Sequence, residues 1–169
     1  MRLKTAPSLE DVLGVPASTT ALAFVDAATA LGVGRVAVVA TYPPDIARRF
    51  EEFLSRGGID VSQVGSHGII TAAEVGTLDR DAVVDMVGKN DHPDAEALLV
   101  PDTALHTVAW LEELEDAVGK PVLTANQVTF WEALRLARSI EPQAGLGTLF
   151  RSQPGARHGF SSDEPHTSM

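Results

Sequence analysis

Cysteine is absent from this sequence of 169 residues. Its absence excludes disulfide bonds, thiolate metal sites and a cysteine nucleophile within the chain. Basic residues are few as well, because 13 lysines and arginines face 23 aspartates and glutamates, which gives a formal net charge of −10. Since this charge repels polyanions and no basic cluster offsets it locally, neither nucleic acid nor an anionic membrane is expected as a partner.

Long hydrophobic runs are also missing. No apolar stretch approaches the roughly 18 residues needed to cross a bilayer, and the opening "MRLKTAPSLED" lacks the hydrophobic core of a signal peptide, so the expected compartment is the cytoplasm. Hydrophobic residues nevertheless make up 44% of the chain, enough for a core at this length. We predict one domain over residues 1–150 and a flexible, polar tail over residues 151–169.

Strand and helix signals alternate along the chain. Apolar runs predict strands at residues 35–40, 97–101 and 121–125, with a weaker strand at 59–68. Amphipathic periodicity and capping residues predict helices at residues 19–32, 45–58, 71–89 with a break near Gly76, 107–119 and 128–139. Ser8 and Asp11 resemble the capping pair of one more short helix. This alternation predicts an α/β fold, a flavodoxin- or Rossmann-like parallel sheet with helices on both faces.

Polar residues follow three of the predicted strands at the point where each strand ends. Thr41 and Tyr42 follow the first, Asp102 and Thr103 follow the second, and Asn126 follows the third. Because the carboxyl ends of parallel strands meet at one edge of a sheet, we expect these side chains to surround a common hollow. Hydroxyl groups, an amide and helix N-termini at one edge suit a small carboxylate.

The same residues also have purely structural interpretations. Asp102 or Thr103 could cap the helix that follows, and Asn126 could cap the next helix. Tyr42 could be a half-buried packing ring. From the residues alone, capping and a site role for Asp102 stay equally open.

Two other motifs do not carry a site. The glycines of "GVGRVA" at residues 32–37 end a helix and precede a strand, whereas a dinucleotide-binding loop must follow a strand and open a helix. His92 lies between two acids in "NDHPD", a pattern more typical of a solvated loop than of a metal site. The sequence therefore predicts neither a dinucleotide nor a metal.

Three segments, taken in order, resemble one family. They are "VPASTTALAFVDAATALGVGRVAVVATYPPDIARRFEEFLSRGGIDV", "LLVPDTALHT" and "GKPVLTANQVTFWEALRL". They are similar to the maleate cis-trans isomerases and arylmalonate decarboxylases of the aspartate/glutamate racemase superfamily, from about Gly14 to Phe150. In that family two similar α/β halves enclose a small dicarboxylate, and the chemistry needs no metal or organic cofactor.

The resemblance implies a role for each strand-end residue. Tyr42 matches the tyrosine that holds a substrate carboxylate, and Thr41 lies beside it. Asp102 stands where the family has a strand-end cysteine, with Thr103 matching the neighbouring hydroxyl. Asn126 matches the asparagine of a Ser-Asn-Gln segment. On this basis Asp102 and Tyr42 are predicted to be catalytic and the other three to bind substrate, without a metal or cofactor.

The chain departs from the family pattern in two respects. Asp102 replaces the cysteine, and a carboxylate can exchange protons but is a poor nucleophile toward an alkene, which favours decarboxylation over isomerisation. The family's first half has no counterpart, so the chain resembles a C-terminal half. The remaining apolar surface would then favour a homo-oligomer.

The predicted function is cofactor-independent proton transfer next to a carboxylate, in a decarboxylase or isomerase that acts on a small dicarboxylate. The alternative is a catalytically silent module for carboxylate binding or assembly. Racemisation ranks last, because it needs two opposed acid/base groups and the chain offers one convincing candidate.

Overall fold

A parallel sheet of four strands forms the centre of the computed structural model, which describes residues 14–151. The strand order is β2-β1-β3-β4. The bounds are β1 (Arg35–Ala40), β2 (Asp60–Ser66), β3 (Ala97–Val100) and β4 (Val122–Thr124). Val38 of β1 pairs with Val64 on one side and with Leu99 on the other, so β1 and β3 occupy the interior of the sheet.

Helices connect the strands in the described part of the chain. They are α1 (Thr20–Ala30), α2 (Pro44–Arg56), α3 (Ala72–Val75), α4 (Arg80–Lys89), a 3₁₀ turn (Val108–Trp110), α5 (Leu111–Val118), α6 (Ala125–Leu136) and α7 (Gly147–Arg151). The predicted break near Gly76 separates α3 from α4. The Asp79 carboxylate accepts a hydrogen bond from the Ala82 N–H at 2.9 Å, which caps the start of α4.

Two apolar layers cover the sheet, one on each face. Val38 and Leu99 pack in the layer that contains α1, α2 and α6. Val39 and Leu98, their neighbours along the strands, pack in the layer that contains α3, α4 and α5. Successive strand residues point to opposite faces, so the unbroken apolar runs of β1 and β3 are explained by burial on both sides. The predicted α/β fold with a parallel sheet is confirmed.

Some element boundaries differ from the prediction. The helix expected over residues 128–139 begins at Ala125, directly after β4, and ends at Leu136. The Gln127 side chain accepts a hydrogen bond from the Thr124 N–H at 3.1 Å, which fixes this early start. The segment expected to be helical from residue 107 first makes a 3₁₀ turn, and the α-helix starts at Leu111.

The C-terminal part of the described region differs from the prediction. Arg151, where the tail was predicted to begin, is the last residue of α7, a helix that the sequence did not predict. The rest of that tail lies outside the described residues, as does the short helix expected around Ser8 and Asp11. Over residues 14–151, no helix has the length and apolar character required to cross a membrane.

Candidate functional site

A cavity of about 350 Å³ opens at the carboxyl ends of β1 and β3. Its lining combines residues that follow these two strands with residues of α1 and α2: Thr20, Ala21, Phe24, Tyr42, Phe50, Pro101, Asp102 and Thr103. The helix α1 precedes β1 through a short turn and therefore runs back along the sheet, which brings its N-terminus to the same edge. Ligands gather at this edge in open parallel sheets.

Asp102 is the acidic residue of this lining, and both of its carboxylate oxygens have partners within the protein. The Thr41 hydroxyl donates a hydrogen bond to Oδ2, and the Ala104 N–H donates one to Oδ1 at 2.8 Å. The second contact closes a local turn two residues ahead of the aspartate. Because the 3₁₀ turn begins only at Val108, Asp102 does not cap a helix, which decides one question that the sequence left open.

Tyr42 lies on the wall of the cavity close to Asp102. Its phenol donates a hydrogen bond to the Pro101 carbonyl oxygen at 3.0 Å, and its own carbonyl oxygen accepts one from the Ser66 hydroxyl at 2.7 Å. Burial raises the pKa of Tyr42 above its ordinary value of 10.0, and the negative charge of Asp102 raises it further. Tyr42 is therefore a neutral hydrogen-bond donor throughout the neutral pH range.

The other three predicted site residues occupy different positions. Thr103 is exposed and lines the cavity. Thr41 is completely buried and does not belong to the lining. The Asn126 amide lies in the first turn of α6 and donates hydrogen bonds to the carbonyl oxygens of Thr103 at 3.0 Å and Leu105 at 3.3 Å. The structure thus brings Tyr42, Asp102 and Thr103 to the cavity, and Asn126 holds the loop behind them.

Sequence reasoning missed the aromatic wall of the cavity. Phe24 of α1 and Phe50 of α2 meet edge to face, with ring centroids 5.5 Å apart. Thr20, Ala21 and Phe24 share one face of α1, a spacing visible in the sequence. The missing signal was the direction of α1, because only its packing against the sheet shows that its first turn reaches the site.

The described residues contain no group of three histidine, aspartate or glutamate side chains that could hold a metal ion. In the loop around His92, the Asp91 carboxylate instead forms an ion pair with Lys120 at 2.8 Å. The Asp94 N–H donates a hydrogen bond to Nδ1 of His92 at 3.2 Å. Asp91 and His92 therefore lie in a half-buried loop that contacts within the protein hold in place.

Comparison with known proteins gives consistent results. The model of the arylmalonate decarboxylase family matches residues 3–150. Arylmalonate decarboxylase of Bordetella bronchiseptica is 29% identical over 146 residues, which are 85% of this chain and 61% of that protein. Maleate isomerase of Alcaligenes faecalis is 24% identical over 157 residues, which are 92% of this chain and 58% of that protein.

Solved structures agree with this result. A crystal structure of arylmalonate decarboxylase gives a TM-score of 0.77 at 29% identity and covers 84% of this chain and 64% of its own. A maleate cis-trans isomerase of Nocardia farcinica was solved with a covalently bound succinylcysteine intermediate. Its structure gives a TM-score of 0.73 at 26% identity, and the match covers 78% of this chain and 54% of the isomerase chain. The chain spans about three fifths of the length of these curated relatives. The family match over nearly the whole sequence shows that this chain belongs to the arylmalonate decarboxylase family.

Proposed function

We propose that this chain belongs to a cofactor-independent enzyme that acts on a small dicarboxylate, and that decarboxylation of an arylmalonate is the favoured reaction. One observation carries the proposal: Tyr42, Asp102 and Thr103 line a single cavity at the strand ends, in a member of the arylmalonate decarboxylase family. Hydroxyl groups, a carboxylate and two phenylalanine rings line this one small volume, which supports the proposal.

Substrate binding follows from the lining of the cavity. The Thr103 hydroxyl and the first-turn N–H groups of α1 donate to carboxylate oxygens. Tyr42, which keeps its proton, exchanges the Pro101 carbonyl for a substrate oxygen. The rings of Phe24 and Phe50 pack against the aryl group. No lysine or arginine is among the residues that line the described cavity, so the substrate carboxylates are held by neutral hydrogen-bond donors.

The chemical step then needs one acid. A carboxylate against the aromatic wall is poorly solvated, which favours loss of carbon dioxide. Cleavage of its bond to the α carbon leaves an enediolate held by the donors of the cavity. The α carbon then takes one proton, for which Asp102 is the proposed donor, and the arylacetate product is complete. Solvent water supplies the one proton that each turnover consumes.

Isomerisation of maleate is less well supported. The structure of the Nocardia farcinica isomerase is described with a succinylcysteine intermediate, and this chain contains no cysteine. Asp102, the carboxylate at the cavity, is a weak nucleophile toward an alkene. The covalent route therefore lacks its nucleophile among the residues of this chain.

One observation favours a second function, a carboxylate-binding or assembly module without catalysis. Both oxygens of Asp102 already accept hydrogen bonds from the protein itself, from Thr41 and from the Ala104 N–H. A purely structural aspartate would be held in this way. Binding and turnover must therefore be measured separately.

The test combines calorimetry with an assay of carbon dioxide release from phenylmalonate, with maleate as the competing substrate. We expect the wild type to bind and decarboxylate phenylmalonate, and Asp102→Asn to lose at least about 100-fold in kcat, the usual effect of removing a general acid. Asp116→Asn, on the exposed face of α5, is the matched control and retains activity.

The other outcomes decide between the two functions. Full activity of Asp102→Asn would remove Asp102 from the mechanism. Binding of phenylmalonate without turnover would favour the module, and turnover of maleate alone would replace decarboxylation by isomerisation. A wild type that neither binds nor converts either compound would contradict both proposals.

A further inference from the structure

Two threonines at the site edge occupy very different environments. Thr103 is exposed and lines the cavity, whereas Thr41 is fully buried, with 0% of its surface accessible. A side chain without accessible surface cannot contact a substrate that enters the cavity. The buried position of Thr41 therefore does not fit the substrate-binding role that the family resemblance implies.

The hydrogen-bonding capacity of Thr41 points to another role. A threonine hydroxyl carries one hydrogen, and that of Thr41 is donated to Oδ2 of Asp102. The backbone is fixed as well, since the Thr41 carbonyl oxygen accepts a hydrogen bond from the Ile69 N–H at 2.7 Å. The preceding carbonyl, of Ala40, accepts one from the His67 N–H at 3.0 Å. The segment after β2 thus anchors the donor that holds Asp102.

Asp102 is held from two directions. Thr41 contacts one carboxylate oxygen from the end of β1, and the Ala104 N–H contacts the other from the turn that follows β3. Asn126 fixes that turn through the Thr103 carbonyl. Rotation about the last side-chain bond of an aspartate is otherwise broad and roughly two-fold. Without Thr41, the Ala104 contact alone would restrain the plane of the carboxylate.

We propose that Thr41 is a positioning residue, which orients the Asp102 carboxylate toward the cavity and does not touch the substrate. The proposal rests on the proposed function for the part that Asp102 plays as proton donor. The orientation itself is a property of the folded chain. It can therefore be measured whether or not the chain turns over a substrate.

Kinetics separate the two roles of Thr41. If Thr41 positions Asp102, Thr41→Val lowers kcat for phenylmalonate by about 10-fold or more, because a misoriented acid loses rate steeply, while KM changes by less than about twofold. Thr41→Ser keeps the hydroxyl and restores most of kcat. If Thr41 binds substrate, Thr41→Val raises KM and leaves kcat unchanged, which would overturn the proposal.

Thr107→Val is the matched control. Thr107 is also buried, with 1% of its surface accessible, and its hydroxyl has no hydrogen-bond partner among the described residues. Removing this hydroxyl tests whether the loss of any buried threonine hydroxyl near β3 reduces activity. We expect wild-type kinetic constants, whereas an equal loss in Thr107→Val would mean that the Thr41 effect is not specific.

Crystal structures of Thr41→Val and Thr41→Ser supply a readout independent of activity. We expect a rotated or doubly oriented Asp102 carboxylate in the valine variant and the wild-type orientation in the serine variant. Thr41→Ala serves the same purpose if the valine variant does not fold. An unchanged Asp102 in the hydroxyl-free variant would overturn the positioning role. A reoriented Asp102 in a chain whose wild type has no turnover would support it and contradict only the proposed function.

Discussion

Tyr42 is the only tyrosine in the chain, so its ionisation can be followed directly by the ultraviolet absorbance of tyrosinate. Burial and the Asp102 carboxylate both raise its pKa above the ordinary 10.0. We expect the native protein to show no tyrosinate band between about pH 10 and 11, where the phenol of an unfolded chain ionises. The same titration in urea should show the band near pH 10. A native phenol that ionises at its ordinary value would contradict the buried position of Tyr42.

The same residue makes stability depend on pH in the alkaline range. The unfolded chain loses the phenol proton first, so it binds fewer protons than the native state, and the free energy of unfolding falls as pH rises. The contribution of the Tyr42 phenol to the free energy of unfolding is fully present below about pH 10, where the unfolded phenol keeps its proton. It is lost as the pH rises further and the native phenol ionises as well. We expect Tyr42→Phe to show a shallower decrease than the wild type in urea unfolding at alkaline pH. Identical slopes for the two proteins would show that Tyr42 does not contribute.

At the residue scale, the sequence predicted where the site residues lie in the sheet better than it predicted which residues they contact. Thr41, Tyr42, Asp102 and Thr103 were expected at one edge because each follows an apolar run, and parallel strands share that edge. Which of them face the cavity depends on contacts between segments far apart, such as the hydrogen bond from Thr41 to Asp102. No local pattern encodes such a contact, so the sequence could not separate a buried threonine from an exposed one.

At the element scale, α7 is held by the packing of Leu149 and Phe150 in the core and by one buried carboxylate. Glu115 of α5 has 7% of its surface accessible. It accepts hydrogen bonds from the Thr148 N–H at 2.8 Å and the Thr148 hydroxyl at 2.9 Å. It also forms an ion pair with Arg151 at 2.7 Å. This explains why the sequence missed α7, because a helix of five residues is stabilised here by tertiary contacts and not by its own propensity.

We expect Glu115→Gln to lower the free energy of unfolding by about 1.5–3 kcal/mol, the range for charge-assisted hydrogen bonds. Glu112→Gln is the control, because Glu112 pairs with the same Arg151 at 3.3 Å but both side chains are about half exposed. Its effect should stay within about 0.5 kcal/mol. Urea unfolding measures both. Equal losses in the two variants would show that Arg151 alone, and not the buried carboxylate, anchors α7.

The start of α6, unlike α7, is fixed by a local motif that is visible in the sequence. Thr124 and Gln127 form the Thr-x-x-Gln pattern of a capping box, and the structure uses Gln127 in this way. The pattern was visible in the sequence, but the β-branched and apolar residues before it favoured a longer strand. Local capping chemistry therefore outweighs strand propensity here. As a result Asn126 lies in the first turn of α6, and its side-chain amide contacts the loop after β3.

At the scale of the whole molecule, the fold class followed from the sequence because burial on both faces leaves unbroken apolar runs in β1 and β3. The sequence predicted only part of the lining of the cavity. Half of its wall comes from α1 and α2, and the meeting of Phe24 with Phe50 depends on how both helices pack on one face of the sheet. Such packing is a property of the assembled layers and is not written in any one segment.

The two layers also allow a test of the predicted single domain, because the two tryptophans of the chain report on different layers. Trp131 is buried in the layer of α1, α2 and α6, and Trp110 packs against the layer of α3, α4 and α5. We expect Trp110→Phe and Trp131→Phe each to unfold in urea with the same midpoint by fluorescence of the remaining tryptophan and by far-ultraviolet circular dichroism. Both layers pack against β1 and β3. Unfolding of these strands in one layer would therefore expose the apolar side chains of the other layer. A fluorescence midpoint that departs from the dichroism midpoint in either variant would show that one layer unfolds alone, and the prediction of one cooperative domain would then be wrong.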